Sequence, residues 1–292
     1  MRVHLTGKAA TAADRSRSAR GRRSTLGLAS AALRVAAATA VLLFSTLFLA
    51  AAPAYAQDKT LVWDRFDVTI QVQPDGTFDV CEKQAINFTN GSFTFGYRSI
   101  PAKNLDQITN WSVTDASGNT YTENGSGSYT YNVNYSGDTY DVRWYFPARS
   151  GGTETYNICY TVVGGLRYYE AGDQVWWKAI YGDRAFPVLA GNVLVQLPPS
   201  ATVSEYAAYI NAADARGRVT AQVAGGADGA SVPGIAPGQA GVLFTLDGTL
   251  DAGEELEVRV QFPPNVVAGT AAGWQASADA DAAAADADSP SR

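Results

Sequence analysis

The chain has 292 residues, 28 of them acidic and 22 basic. Eight of the bases and one of the acids precede Gln57, so the rest holds 27 acids against 14 bases and repels a phosphate backbone, which excludes nucleic acid as a partner. The only histidine, His4, also lies before Gln57, so the chain from Gln57 onward lacks His-based triads, imidazole metal sites and the usual general base, and two cysteines cannot build a cysteine zinc site.

Residues 1–34 are rich in Arg and Ser. From Val35 to Gln57 there is no charge, the centre is apolar (Val41-Leu42-Leu43-Phe44, then Leu47-Phe48-Leu49), and the run closes on Pro53-Ala54-Tyr55-Ala56. A basic stretch, an apolar stretch and small residues in that order describe a secretory signal peptide over 1–56, cut after Ala56. The alternative is an uncleaved anchor, because the 23-residue uncharged run matches the ~20 residues of a membrane-spanning helix. Either way the chain is expected to be extracytoplasmic, secreted or membrane-anchored at the cell envelope.

Past Gln57 the dominant pattern has period two. Phe66, Val68, Ile70 and Val72 alternate with polar residues, which argues a half-buried strand. Gln73-Pro74-Asp75-Gly76 then makes a hairpin turn, with proline presetting the backbone and glycine taking the positive-φ position. The return strand runs through Phe78, Val80, Ile86 and Phe88. Further strands are expected at 108–114, 128–135, 140–146, 154–163, 174–180 and 192–197, separated by Gly, Asn, Asp and Ser clusters. Val203–Ile210 reads as one or two helical turns and 224–241 as a Gly/Ala-rich loop, before strands resume at 241–246 and 256–262. The fold class is all-β, an antiparallel β-sandwich architecture. Its length suits two packed sandwich-like units, 57–165 and 166–264, joined near Leu166. The Ala/Asp-rich stretch 265–292 reads as a disordered tail.

Cys81 and Cys159 fall on the polar side of their strands, opposite Val80 and Ile86 in one and Ile158 and Tyr160 in the other. Two outward cysteines on neighbouring strands of an exported chain are expected to form a disulfide. Among the many aromatics, Trp176 and Trp177 are candidate ligand-binding residues that would stack on sugar rings if exposed in a groove; core packing is the alternative. Glu170, Asp173 and Asp183 flank the same strand and would act as a glycosidase pair only if two of them faced each other across a cleft at about 5–10 Å. Five N-x-S/T triplets occur, at Asn87, Asn90, Asn110, Asn124 and Asn134, and matter only where asparagine is glycosylated. No catalytic residue, metal or cofactor is assigned.

Several segments in order, Arg65-Phe66-Asp67-Val68, Gln73 to Val80, Tyr97-Arg98-Ser99-Ile100-Pro101, Tyr156 to Val162, Trp177-Lys178-Ala179-Ile180 leading to Gly182, and Leu197-Pro198, resemble the N-terminal extracytoplasmic part of a family of predicted membrane proteins, domain of unknown function 2207. The resemblance runs from about 60 to 264. It implies a signal peptide, a β-rich ectodomain, a transmembrane helix and a further membrane or cytoplasmic part, with no catalytic residues to carry over. This chain departs in having no apolar run after Phe262-Pro263, so a truncated gene, a released protein and an anchor at Val35–Gln57 all stay open. Cys81 stands where the family has a small polar residue, which makes the disulfide particular to this sequence. Arg98, beside Ile100-Pro101 at the end of an edge segment, is expected to pair with an acid and pin the loop, with ligand binding as the alternative.

The expected function is that of an exported, non-catalytic ectodomain, an interaction or structural module whose partner is an envelope protein or glycan. A carbohydrate-binding module and a carboxylate-based hydrolase are the alternatives.

Overall fold

The computed structural model describes residues 59–225 and 231–288, so the leader with its expected signal or anchor lies outside the described residues. In chain order the elements are β1 (Thr60–Val72), β2 (Phe78–Asn90), β3 (Phe93–Pro101), β4 (Gln107–Asp115), β5 (Thr122–Glu123), β6 (Thr130–Ser136), β7 (Thr139–Arg149) and β8 (Gly152–Val163). They continue with β9 (Leu166–Arg167), β10 (Asp173–Ile180), β11 (Gly191–Gln196), β12 (Glu205–Ile210), β13 (Ala213–Asp214), β14 (Val219–Ala224), β15 (Gly241–Leu246), β16 (Leu256–Phe262) and one helix, α1 (Gln275–Asp288).

A seven-stranded sheet in the order β14-β15-β11-β1-β2-β8-β4 is the frame. Because successive side chains alternate between faces, β1 puts Phe66, Val68 and Ile70 on one side, joined by Val80 and Phe88 of β2, Ile158 of β8, Val195 of β11 and Phe244 of β15, all buried. The other face carries Asp67, Thr69, Cys81, Lys83 and Asn157, none of them buried. Two smaller sheets cover the apolar face. The β3-β7-β6-β5 sheet packs Phe146 of β7 against Phe88 and Tyr156 at ring distances of 5.8 and 4.9 Å. The β13-β12-β16-β10-β9 sheet packs Trp177 of β10 against Phe78 and Tyr160 at 5.3 and 6.3 Å. Buried residues of all three sheets form one apolar cluster, in which each fully buried Val, Ile or Phe stabilises by roughly 1.5–3 kcal/mol.

The turn between β1 and β2 is the expected hairpin. Gly76 sits at φ 84°, its N–H reaches the Gln73 carbonyl at 3.1 Å, and Asp75 accepts from the Thr77 N–H at 3.0 Å. A side chain at Gly76 would run into the Ala268 carbonyl, so the hairpin tip is held close to the C-terminal segment.

Four expectations change. The join at Leu166 does not separate two sheets, because β4, β8, β2 and β1 from before it and β11, β15 and β14 from after it share one. The link is β1 pairing with β11 in parallel, Phe66 opposite Gly191 through Gln71 opposite Gln196, so the sandwich is mixed rather than wholly antiparallel. Val203–Ile210 is not helical: Glu205–Ile210 pairs along β16 from Glu205↔Gln261 to Ile210↔Leu256, and ladder pairing overrides the helix propensity of its alanines. The C-terminal stretch is ordered through Asp288. Trp274 donates to the Gly164 carbonyl at 2.8 Å, Gln275 makes two hydrogen bonds to the Tyr168 backbone, and Asp279 accepts from Arg167 and Tyr169. Those anchors fix an Ala-rich segment that readily becomes helix.

Candidate functional site

On the otherwise apolar inner face of β2, between Val80 and Ile86, stand Glu82 and Gln84, exposed by only 0% and 2%. A carboxylate stripped of water is tolerated only when hydrogen bonds replace its hydration, and Glu82 has them. Arg98 of β3 donates its Nε to both carboxylate oxygens at 3.0 and 2.9 Å. Tyr160 of β8 donates its hydroxyl at 3.0 Å and Gln84 its amide at 2.9 Å. Gln84 in turn accepts from the Trp63 indole at 3.0 Å.

Arg98 completes its surroundings with the Ser99 carbonyl at 2.7 Å from Nη1 and the Tyr181 ring 4.1 Å beneath the guanidinium. Burial works against its charge, but the nearby Glu82, with Tyr160, outweighs that and holds its pKa above the ordinary arginine value. The Tyr160 hydroxyl is pushed well above the tyrosine range, first by burial and then by Glu82.

Trp63, Gln84, Arg98 and Tyr181 of this network line a cavity of about 260 Å³, with Glu82 and Tyr160 outside its lining. Its walls come from β1 and β2 (Trp63, Ile86, Phe88), from the β3 edge (Phe93 to Arg98), from β7 (Trp144, Phe146) and from the loop Tyr181–Phe186. Phe95 and Tyr97 are 42% and 57% exposed on β3.

Arg184 fastens the loop wall. Its guanidinium donates to the carbonyls of Tyr181 and Phe186, each at 2.9 Å, and to those of Asp251 and Glu254. The Glu254 side chain receives both Arg218 nitrogens at 2.7 and 2.8 Å. Those bonds, opposed by slight burial and aided by the Asp251 N–H, bring its carboxyl down to about 2 from the ordinary 4.5. A carboxyl with a depressed folded-state pKa contributes stability above its unfolded pKa and loses it as the pH falls through the folded value. The urea midpoint is therefore expected to drop between about pH 4.5 and 2, and Glu254→Gln to flatten that part of the profile.

The other sequence candidates lie elsewhere. Cys81 and Cys159 face each other across β2 and β8, bonded, with Cα atoms 4.1 Å apart, on the outer face of the frame. Trp177 does not face a groove, being 6% exposed within the core. Trp176 is half-buried on the opposite side of its strand, stacked on Tyr209 at 5.9 Å with Arg167 and Arg259 against its ring. Asp183 lines the cavity just described, whereas Glu170 and Asp173 line a different one near Pro264; burial raises the pKa of Asp173. Arg98 does pair with an acid, as expected, but inside the sandwich rather than in a surface loop. The reading of the residues missed Glu82 and Gln84, although their even positions between Phe78 and Phe88 place them on the buried face.

A sequence model described as the N-terminal domain of a predicted membrane protein (DUF2207) matches residues 63–262, more than half of the chain. The chain belongs to the DUF2207 family. The matched DUF2207 region contains every residue of the cavity lining except Lys59 and Leu61. No helix among the described residues is long and apolar enough to cross a membrane. No curated protein matches the chain. Among solved structures, the M1 zinc metallopeptidase of Deinococcus radiodurans is similar at 12% identity over 68% of this chain and 42% of that one, with a TM-score of 0.38. A Legionella pneumophila protein assigned provisionally to nutrient binding is similar at 9% identity over 68% of this chain and 66% of that one, with a TM-score of 0.37. The chain spans about two fifths of the metallopeptidase's length, and at TM-scores this low neither protein's activity is read onto it.

Proposed function

We propose that this DUF2207 domain is a non-catalytic, extracytoplasmic binding module of a cell-envelope protein, and that the cavity between β3 and the Tyr181–Phe186 loop is where it binds. The observation that carries the reading is an aromatic cavity whose lining includes Arg98, a buried arginine paired with Glu82 behind it. Concave apolar sites with a few placed polar groups are the usual form of a ligand site, and an ion pair inside a sandwich is poor evidence of a purely stabilising role. The cross-strand disulfide supports an oxidising compartment, and the family description supports a membrane protein.

In cells making the full chain, externally added protease is expected to degrade the domain while cytoplasmic proteins survive. A photo-crosslinking residue at Phe95, on the cavity lining, is expected to give adducts, and one at Lys83, on the outer face of β2, is expected to give none. Protection from protease, or equal adducts from the two positions, would contradict the reading.

A further inference from the structure

We infer that the cavity takes an apolar monocarboxylate, its carboxylate held by Arg98 and Trp144 and its apolar body lying along the aromatic walls; this rests on the cavity being the binding site proposed above. Arg98 and Trp144 both line the cavity and are 6% and 1% exposed. Each keeps a buried donor, Arg98 Nη2 and Trp144 Nε1, with no acceptor among the described residues. Buried donors are normally satisfied, and a ligand oxygen would satisfy both. The Glu82 carboxylate is not free to do so, since it already accepts from Arg98, Tyr160 and Gln84.

Charge points the same way. The lining brings together Lys59, Arg98 and Arg184 against a single acid, Asp183, in a chain whose acids outnumber its bases. Arg184 spends its hydrogen bonds on four carbonyls and has no salt bridge among the described residues, though the charges of Asp183 and Glu254 act on it. Counting Glu82 behind Arg98 still leaves three cations of the lining against two acids. An anion is favoured there over a neutral or cationic ligand, and a guanidinium presents parallel donors that suit a carboxylate.

Size sets the body. A dry cavity of about 150 Å³ holds benzene, so about 260 Å³ suits an arylalkanoic or medium-chain fatty acid rather than a diacyl lipid. Gly96 adds a steric limit, because a Cβ there would run into the Trp144 ring and crowd the indole.

The test uses the full, disulfide-bonded chain and calorimetric titration with octanoate, 3-phenylpropionate and 1-octanol. At least one carboxylate is expected to bind about tenfold or more tightly than octanol, and the two acids distinguish an aliphatic from an aromatic source. Arg98→Lys keeps the charge but loses the planar fork, and is expected to weaken the acid about tenfold and octanol, which can take only one of the parallel donors, by less. Trp144→Phe removes only the indole donor and is expected to weaken the acid several-fold; it decides the matter should Arg98→Lys fail to fold. No binding of either acid at millimolar concentration, equal affinity for octanol, or indifference to Trp144→Phe would overturn the inference. Phe95 adducts without a carboxylate preference would leave the binding module standing and remove only its assigned ligand.

Discussion

Glu82→Ala is expected to lower the unfolding free energy by about 3–5 kcal/mol, because it strands a buried guanidinium. The substitution also takes the acceptor from Tyr160 and Gln84, and an orphaned buried polar group costs about 1–3 kcal/mol. Replacing both partners, Glu82→Leu with Arg98→Met, is expected to recover the part of that loss due to the stranded guanidinium, because the apolar pair removes both charges at once, while Tyr160 and Gln84 stay without their acceptor. Urea unfolding followed by tryptophan emission measures both. If the double variant recovers, the pair is retained for something other than stability, as a site in the cavity would require. A double variant as unstable as the single would make the network a structural element alone.

Loss of the disulfide is the second large effect. Cys81 and Cys159 close a span of 78 residues, so Cys81→Ser with Cys159→Ser is expected to cost about 4 kcal/mol through the entropy of the unfolded chain. For a domain of this size that is roughly 8–16 °C in Tm. Because Cys81 is exposed and Cys159 only partly buried, the serines open no cavity, and the loss is expected to match reduction of the wild-type bond. A fall in Tm of a degree or two would mean that the β2–β8 pairing already constrains the unfolded chain.

Much of this architecture is written in parity. The even residues of β1 and β2 point inward, so the period-two pattern marks those two strands, their buried face and the outward Cys81 together. The same parity places Glu82 and Gln84 inside, yet two polar residues interrupting Val80 and Ile86 are easily passed over as a gap in the apolar side. What was not legible has physical causes. The parallel pairing of β1 with β11 joins residues more than a hundred positions apart, and nothing local in either strand announces it. Glu205–Ile210 became a strand because β16 offered a ladder. The C-terminal helix rests on Trp274, Gln275 and Asp279 finding Gly164, Tyr168 and Arg167, contacts that composition cannot foresee. The cavity is of the same kind: it arises where the edge strand β3 and a loop clamped by Arg184 meet over β1 and β2, and no motif in the chain names it.

The central claim, that this cavity takes an apolar carboxylate at Arg98 and Trp144, is tested most directly by the indole N–H resonances of the six tryptophans during titration with octanoate. The largest shift is expected at Trp144, whose indole gains an acceptor, a smaller one at Trp63, already bonded to Gln84, and none at Trp176 or Trp274. An unmoved Trp144, or a largest shift at Trp176, would contradict it.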